Sequence, residues 1–437
     1  MLGDGAVYQP QGHAPIFSLA TTRRFLQIEL NWTSRRGTKD GQKTPDNAKD
    51  VCKETFFRFV YTLRREDISK YLIVNVDQTG TVLVPGGNDN NYEIQGAKQV
   101  PIHGKEEKRA FTAVLSVDLG GEVLPTQSVW KGVLAASLPT IAASEEAKRR
   151  GHRFGLNKRT YWSSFETTKA WIAEILLARR ERMIRIHNLS SDSKMILYLD
   201  CWTIHRSKEF REWIAATYPF IILLFVPANC TGIFQPCDVG LQRLFKHSVK
   251  QSASQFFVKH VQNERLKGIA PGKIRLPIKL GQLRDQTPTW CTTGVDFLNS
   301  ISKNDGDNSS IGASAWRNCR AGPWNLSYGC ITSTAAINEW FRLSPEYRAK
   351  IEGNQPLPRE VSVGNPGLDL VEDEEVAEDG NDDEDVPAEL TRSVVIGESL
   401  PVLPSGYSIS EGRLAYNEEW DETAELQSDS EVESNDF

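Results

Sequence analysis

Three aspartates stand at the ends of apolar runs, where a buried sheet would bring side chains from distant parts of the chain to one edge. Asp77 closes Tyr71-Leu-Ile-Val-Asn-Val-Asp77, and Asp200 closes Met195-Ile-Leu-Tyr-Leu-Asp200. Asp238 follows Phe220-Ile-Ile-Leu-Leu-Phe-Val226 across a loop carrying Gln235-Pro236-Cys237. Carboxylates at the carboxyl ends of strands in an α/β sheet converge on one crevice. Three of them there can hold two divalent cations about 3.5–4 Å apart, the arrangement used for phosphodiester chemistry. Each aspartate also has a plainer reading. Asp77, in Val76-Asp77-Gln78-Thr79-Gly80, has the setting of a turn aspartate bonding its own backbone. Asp238, just past Pro236 and before a helical stretch, has the setting of an N-cap. Asp200 ends a very apolar strand, where an ionisable group is costly unless paired or metal-bound. The set, rather than any one member, points to a metal centre.

Other polar residues gather around these positions. His205, five residues after Asp200, is placed either to orient a phosphate or water or to be satisfied within its loop, and Gln235 is placed to position the Asp238 loop. Lys246, His247 and Lys250 continue the helix after Asp238 and read as DNA-backbone contacts or as a solvated face. Arg35 and Arg36 open the basic stretch Ser34–Lys43, and Asp118 and Glu122 flank Gly120-Gly121 as turn chemistry. Cys230 and Cys237, with His205 and His247 nearby, match no common zinc spacing. The seven cysteines contain no CxxC pair, and the odd count fits a reducing compartment.

The elements that must position these residues are legible in outline. Helical spacing is expected at Phe25–Leu30 and again near Asn47–Arg65. From Tyr71 to Glu122 the pattern is β. Tyr71–Asp77 turns at Gln78-Thr-Gly80 into a hairpin partner Thr81–Pro85, Lys98–His103 adds a short edge segment, and Arg109–Asp118 is a further strand turning at Gly120-Gly121. Residues 125–194 read as connection and helix, with Ser164–Ile186 placing Phe165, Trp171, Ile172, Ile175, Leu176 and Met183 near one face and Arg179, Arg180 and Arg182 outside. Met195–Asp200 with a helix at Ser207–Tyr218, then Phe220–Val226 with a helix from Asp238 to Gln262, are two strand–helix units with parallel crossovers. Antiparallel strands followed by parallel units is the strand order of an RNase H-like α/β sheet. Residues 268–350 read as helices, ending in Thr332–Arg342 and Pro345–Ile351.

Charge divides the 437-residue chain. Residues 351–437 hold 25 acidic and 3 basic residues, leaving 48 basic and 32 acidic in residues 1–350. A basic body suits a polyanionic partner, since phosphate neutralisation drives such binding. The acidic blocks Val371–Glu375 and Asn381–Asp385 repel themselves and have little to bury, so a disordered tail is expected over 353–437. The longest apolar run, Phe220–Val226, is far short of the ~20 residues of a membrane helix, and no membrane or small-molecule partner is expected.

Five stretches carry a family resemblance: Asn75-Val-Asp-Gln-Thr79, Gly96-Ala-Lys-Gln-Val100, Lys108-Arg-Ala-Phe-Thr112, Asp200-Cys-Trp-Thr-Ile-His-Arg-Ser207 and Phe234-Gln-Pro-Cys-Asp-Val-Gly240. Together they resemble the DDE superfamily endonucleases, in the pogo/Tigger/jerky branch related to centromere protein B and to mariner transposases. Asn325-Leu-Ser-Tyr328 is closest to fungal forms. The resemblance runs from about residue 20 to residue 350. It implies an RNase H-like catalytic domain over 46–300, a helical extension over 301–352, and Asp77, Asp200 and Asp238 as ligands of two Mg²⁺ or Mn²⁺ ions.

The resemblance also implies DNA as partner, self-association as a dimer, and the nucleus as location. Arg23–Arg36 resembles the end of a helix-turn-helix module, so residues 20–45 read as a remnant after a disordered start at 1–19, in a truncated copy or an incomplete gene model. Departures are Cys201 where many relatives have Asn, Gly80 where Gln is frequent, and the Asn88–Asn91 loop. Two other readings stay open. One is a catalytically inactive, domesticated DNA-binding protein. The other is a scaffold whose acidic tail mimics nucleic acid over the basic body, a reading that unchanged DNA affinity after deletion of 354–437 would remove.

Overall fold

The computed structural model describes residues 44–84, 110–300 and 310–357, with the backbone of two short paired strands at Tyr407–Ser410 and Arg413–Tyr416. The helix-turn-helix remnant, Arg35 and Arg36, the Lys98–His103 segment, the Asn88–Asn91 loop and the rest of the acidic tail lie outside the described residues.

The chain enters the described region with helix α1, Ala48–Glu66, which ends on Asp67 in a left-handed conformation (φ 49°) whose N–H returns to Leu63 O. Phe56, Phe59, Val60 and Leu63 recur at helical spacing and are buried. Strand β1, Ile73–Val82, follows, and its first five residues are buried on both faces, as a central strand requires. Strands β2 (Ala110–Asp118) and β3 (Gln127–Lys131) continue the sheet antiparallel. After helix α2, Ile141–Arg149, strand β4 (Arg153–Asn157) adds parallel to β3. Strands β5 (Met195–Leu199) and β6 (Ile221–Phe225) lie on the other side of β1 and run parallel to it. The sheet order is β4-β3-β2-β1-β5-β6. The antiparallel set β3-β2-β1 followed by parallel β5 and β6 is the RNase H-like order, as expected from the sequence.

Helices cover both faces. On one face Tyr198 packs its ring against Phe59 of α1 at 5.0 Å and against Trp316 at 6.0 Å. Trp316 belongs to helix α7, Ile311–Asn318. On the other face a helix running 165–186 (α3) buries Trp171 and Ile172 near Leu197, Leu199 and Phe210 of helix α4, Lys208–Thr217. A π-helical turn, Ile172–Leu176, interrupts α3 and inserts one residue into its register. Helix α5 (Gln242–Leu266) packs along α6 (Leu280–Ser300), while α7 (Ile311–Asn318) lies on the turn that carries Asp238.

Helices α8 (Thr334–Arg342) and α9 (Pro345–Glu352) close over α1. The buried Arg58 guanidinium donates to the carbonyls of Lys350, Ile351 and Gly353, satisfying the end of α9. Just beyond, the Gln355 side chain accepts from Phe225 N at 3.0 Å and donates to Phe225 O at 2.7 Å, along the free edge of β6.

Four expectations are corrected. Gln78-Thr-Gly80 does not turn; β1 runs straight through it, with Gln78, Thr79 and Gly80 paired to Val114, Ala113 and Thr112. The long β2 supplies partners for all of them, so the local turn signal loses to tertiary pairing. Residues 125–194 contain β3 and β4, which sequence reasoning missed because Gln127-Ser-Val-Trp-Lys131 and Arg153-Phe-Gly-Leu-Asn157 are not the continuous apolar runs that marked β5 and β6. Arg179 and Arg180 are buried rather than outside: Arg179 pairs with Asp118 and Glu122, and Arg180 donates to the carbonyls of Ser191 and Ser193. Asp238 is not an N-cap; it lies inside the π-helical turn Cys237–Leu241, whose N-cap is Pro236.

Candidate active site

Strand register brings the first two aspartates together. Asn75 of β1 is paired with Tyr198 of β5, so Asp77 and Asp200, each two residues further along parallel strands, fall in the same row. The third arrives from β6 through a single turn, Thr231–Phe234, and the π-helical turn that contains Asp238. Asp77 thus sits midway along β1, just past its parallel pairing with β5, Asp200 follows the carboxyl end of β5, and Asp238 lies in the turn that comes after β6, on the side of an α/β sheet where sites form.

Asp77 is the most buried of the three, at 8% exposure. Its Oδ1 accepts from Gln78 N at 2.7 Å, and its Oδ2 accepts from the Gln242 side chain. Burial holds its carboxyl protonated well above the usual range, the negative charges of Asp238 and Asp200 push the same way, and a carboxyl–carboxyl hydrogen bond joins Asp77 to Asp238. Asp200, half-buried, receives the Nδ1 of His205 at 2.6 Å on its Oδ1. That contact selects the tautomer with the proton on Nδ1, and the His205 ring, 5% exposed, is fixed between Trp202 and Phe210.

Among the described residues, no three His, Cys, Asp or Glu side chains are gathered into a ready-made metal cage. The donor set nevertheless fits a hard divalent cation. It consists of carboxylates alone, burial and their mutual repulsion raise the Asp77 carboxyl, and a cation would relieve that repulsion.

The supporting residues fall out as follows. His205 belongs to the site through Asp200. Gln235 is fully buried, and its side-chain amide finds no hydrogen-bond partner among the described residues. Lys246 and Lys250 follow Asp238 and Gln242 at four-residue steps and extend one stripe of the helix away from the site.

Sequence reasoning gave no role to Gln242 or Asn75. Gln242 was detectable as a long amide four residues past Asp238, and Asn75 as a polar residue amid branched apolar ones. Beside Cys201, a groove of about 390 Å³ opens between α1 and the 226–229 loop and is bounded by Gln355, Pro356 and Leu357.

Part of the chain is similar to a known family. Residues 108–304 match the model for the DDE superfamily endonucleases, the family that the sequence motifs resemble. The match spans Asp200 and Asp238, and Asp77 precedes it. Among solved structures, the Mos1 transposase paired-end complex with left transposon end is similar at 12% identity, covering 63% of this chain and 69% of that one, with a TM-score of 0.30. The Mos1 mariner paired end complex with Mn gives 10% identity, 63% and 68% coverage and a TM-score of 0.30. The catalytic domain of Mos1 mariner transposase gives 11% identity, 61% and 97% coverage and a TM-score of 0.26. A comparison with curated proteins gives no match.

Proposed function

We propose, from the premise that residues 108–304 form a DDE superfamily endonuclease domain, that the chain is a transposase-type, divalent-metal-dependent nuclease acting on DNA. The observation that carries this reading is the strand register that sets Asp77 and Asp200 in one row, with Asp238 near enough to raise the Asp77 carboxyl. Crowded acids at the carboxyl edge of a sheet are costly, and a phosphodiester-cleaving centre is a chemistry that requires them.

Asp77, Asp200 and Asp238 would hold Mg²⁺ or Mn²⁺, two ions in all. Once bound, such ions polarise the phosphate and make water, or a DNA 3′-hydroxyl, a stronger nucleophile. The chain's own contribution is orientation. Gln78 N–H and Gln242 fix both oxygens of Asp77, and His205 fixes Asp200. The rigid strand ends keep the separation constant. Lys246, on the stripe leading away from Asp238, is placed to meet backbone phosphates, which set position rather than sequence, whereas the Lys250 ammonium is buried. Cleavage at transposon ends and joining to target DNA would follow, in the nucleus and with a second copy of the chain.

A DNA-binding protein without catalysis is the second reading. It is favoured by Gln242 and His205, whose hydrogen bonds each occupy an oxygen of Asp77 or Asp200. Cleavage of a labelled duplex with Mn²⁺, comparing wild type with Asp200→Ala, separates the two. Metal-dependent cutting lost in the variant supports the nuclease. DNA binding with no cutting by either protein supports the second reading.

A further inference from the structure

We infer that Asn75 is a positioning residue that fixes the spacing of the three aspartate-bearing segments, an inference that rests on the metal-dependent reading above. Asn75 is wholly buried in β1, between Val74 and Val76. A primary amide at that depth is costly unless both of its ends are bonded. They are: Nδ2 donates to Tyr198 O at 3.0 Å, and Oδ1 accepts from Cys237 N at 2.9 Å.

Each partner is a fixed step from a carboxylate. Asn75 precedes Asp77 by two residues on the same face of β1, Tyr198 precedes Asp200 by two, and Cys237 adjoins Asp238. One side chain therefore touches all three segments, of which β1 and β5 are also paired strands of the sheet. Two contacts brace it. Tyr198 donates its hydroxyl to Phe234 O at 3.0 Å, and the Cys237 thiol lies 3.7 Å from Leu115 O.

The chemistry required at this point is one donor and one acceptor on a short stem, which Asn supplies. Valine or isoleucine would suit the strand better and would leave the Cys237 N–H without this acceptor. Aspartate would accept but could not donate to Tyr198 O, and it would add a fourth negative charge. Asn75 acts through Asp77, Asp200 and Asp238, without touching an ion or DNA itself.

Mn²⁺ affinity measured by calorimetry on the full chain tests this, with wild type, Asn75→Ala, Asn75→Ser and Asp200→Ala, and with near-ultraviolet circular dichroism to establish folding. Removing a group that orients metal ligands costs about 10- to 100-fold in affinity. We expect that loss in both Asn75 variants, together with a fall in kcat for Mn²⁺-dependent cleavage at unchanged KM for DNA. Asn75→Ser decides the matter if Asn75→Ala does not fold, because its hydroxyl and a bridging water can satisfy the two backbone groups without fixing their distance.

Folded variants with a lower melting temperature but wild-type Mn²⁺ affinity and kcat would show a purely structural amide and overturn the inference alone. A wild type that binds no Mn²⁺, or an Asp200→Ala protein that binds it equally well, would overturn the metal-dependent reading and the role of Asn75 with it.

Discussion

Gly240 lies two residues past Asp238 in the π-helical turn, with α7 laid directly against it. A Cβ added there would stand 2.6 Å from the Ala315 Cβ and 3.0 Å from the Ala315 Cα. Non-bonded carbons rest about 3.5–4.0 Å apart, so Gly240→Ala must part the turn and α7 by about 1 Å. Two effects oppose each other. Alanine favours a helix over glycine by about 1 kcal/mol, whereas overpacking costs about 1–3 kcal/mol.

Helix α7 is poorly able to yield. Ala315 is 1% exposed, and the wholly buried Trp316 beside it donates its indole N–H to Asp118 O at 3.0 Å. Overpacking therefore wins, for a net loss of about 1–2 kcal/mol in urea unfolding. The shift falls on Asp238. A misplacement of about 1 Å at a reacting centre costs on the order of 100-fold in rate, which Mn²⁺-dependent cleavage of a labelled duplex would read. Gly240→Ala combined with Ala315→Gly removes the nearest clashing atom and regains part of both losses. A Gly240→Ala protein as stable as wild type, cutting at the wild-type rate, would refute the reasoning, since propensity alone would then account for the site.

Two further outcomes follow from groups outside the site. His152 is 2% exposed, accepts from Thr126 N at 3.1 Å, and is pushed down to about 4, first by burial and then by the charge of Arg150. Its folded value lies below its unfolded one, so its contribution is complete above about pH 6.5 and is lost as pH falls toward 4, by about 3 kcal/mol. Urea midpoints across that window should fall less steeply for His152→Gln than for wild type; identical slopes would exclude the effect. Asp118 is fully buried, and burial raises its carboxyl despite the opposing charge of Arg179. Arg179→Met leaves it uncompensated and should cost about 3–5 kcal/mol, with partial recovery in Arg179→Met/Asp118→Asn. A loss below about 1 kcal/mol would mean that Asp118 is solvated in the variant.

The three aspartates and the strands that carry them were legible because apolar runs ending in a carboxylate leave few alternatives. What escaped was tertiary. The apparent turn at Gln78-Thr-Gly80 was overruled by a partner strand whose register no local signal contains. Arg179 was assigned to solvent because its partners, Asp118 and Glu122, are about 60 residues away and read as turn residues; Asp118 does accept from Glu122 N at 3.0 Å as well. The imperfect helical period over 164–186 had a physical cause, since the π-helical turn at Ile172–Leu176 shifts the buried stripe and carries Arg179 and Arg180 inward. Asn75 stood within a motif, yet its role depends on Tyr198 and Cys237, which only the sheet brings beside it.

Strand β6 ends the six-stranded sheet, so among the described residues one side of its backbone has no strand to pair with. An open edge of this kind is a template on which another chain can add a strand. Gln355 occupies it with a two-point imitation of a ladder pair, its amide exchanging both bonds with Phe225. The segment that leads toward the acidic tail is thus also a stopper against edge-to-edge growth. A cut at residue 354 would remove the stopper with the charge, and aggregation would then be mistaken for a change in DNA affinity. A cut after Leu357 would take the acidic blocks and leave the edge closed.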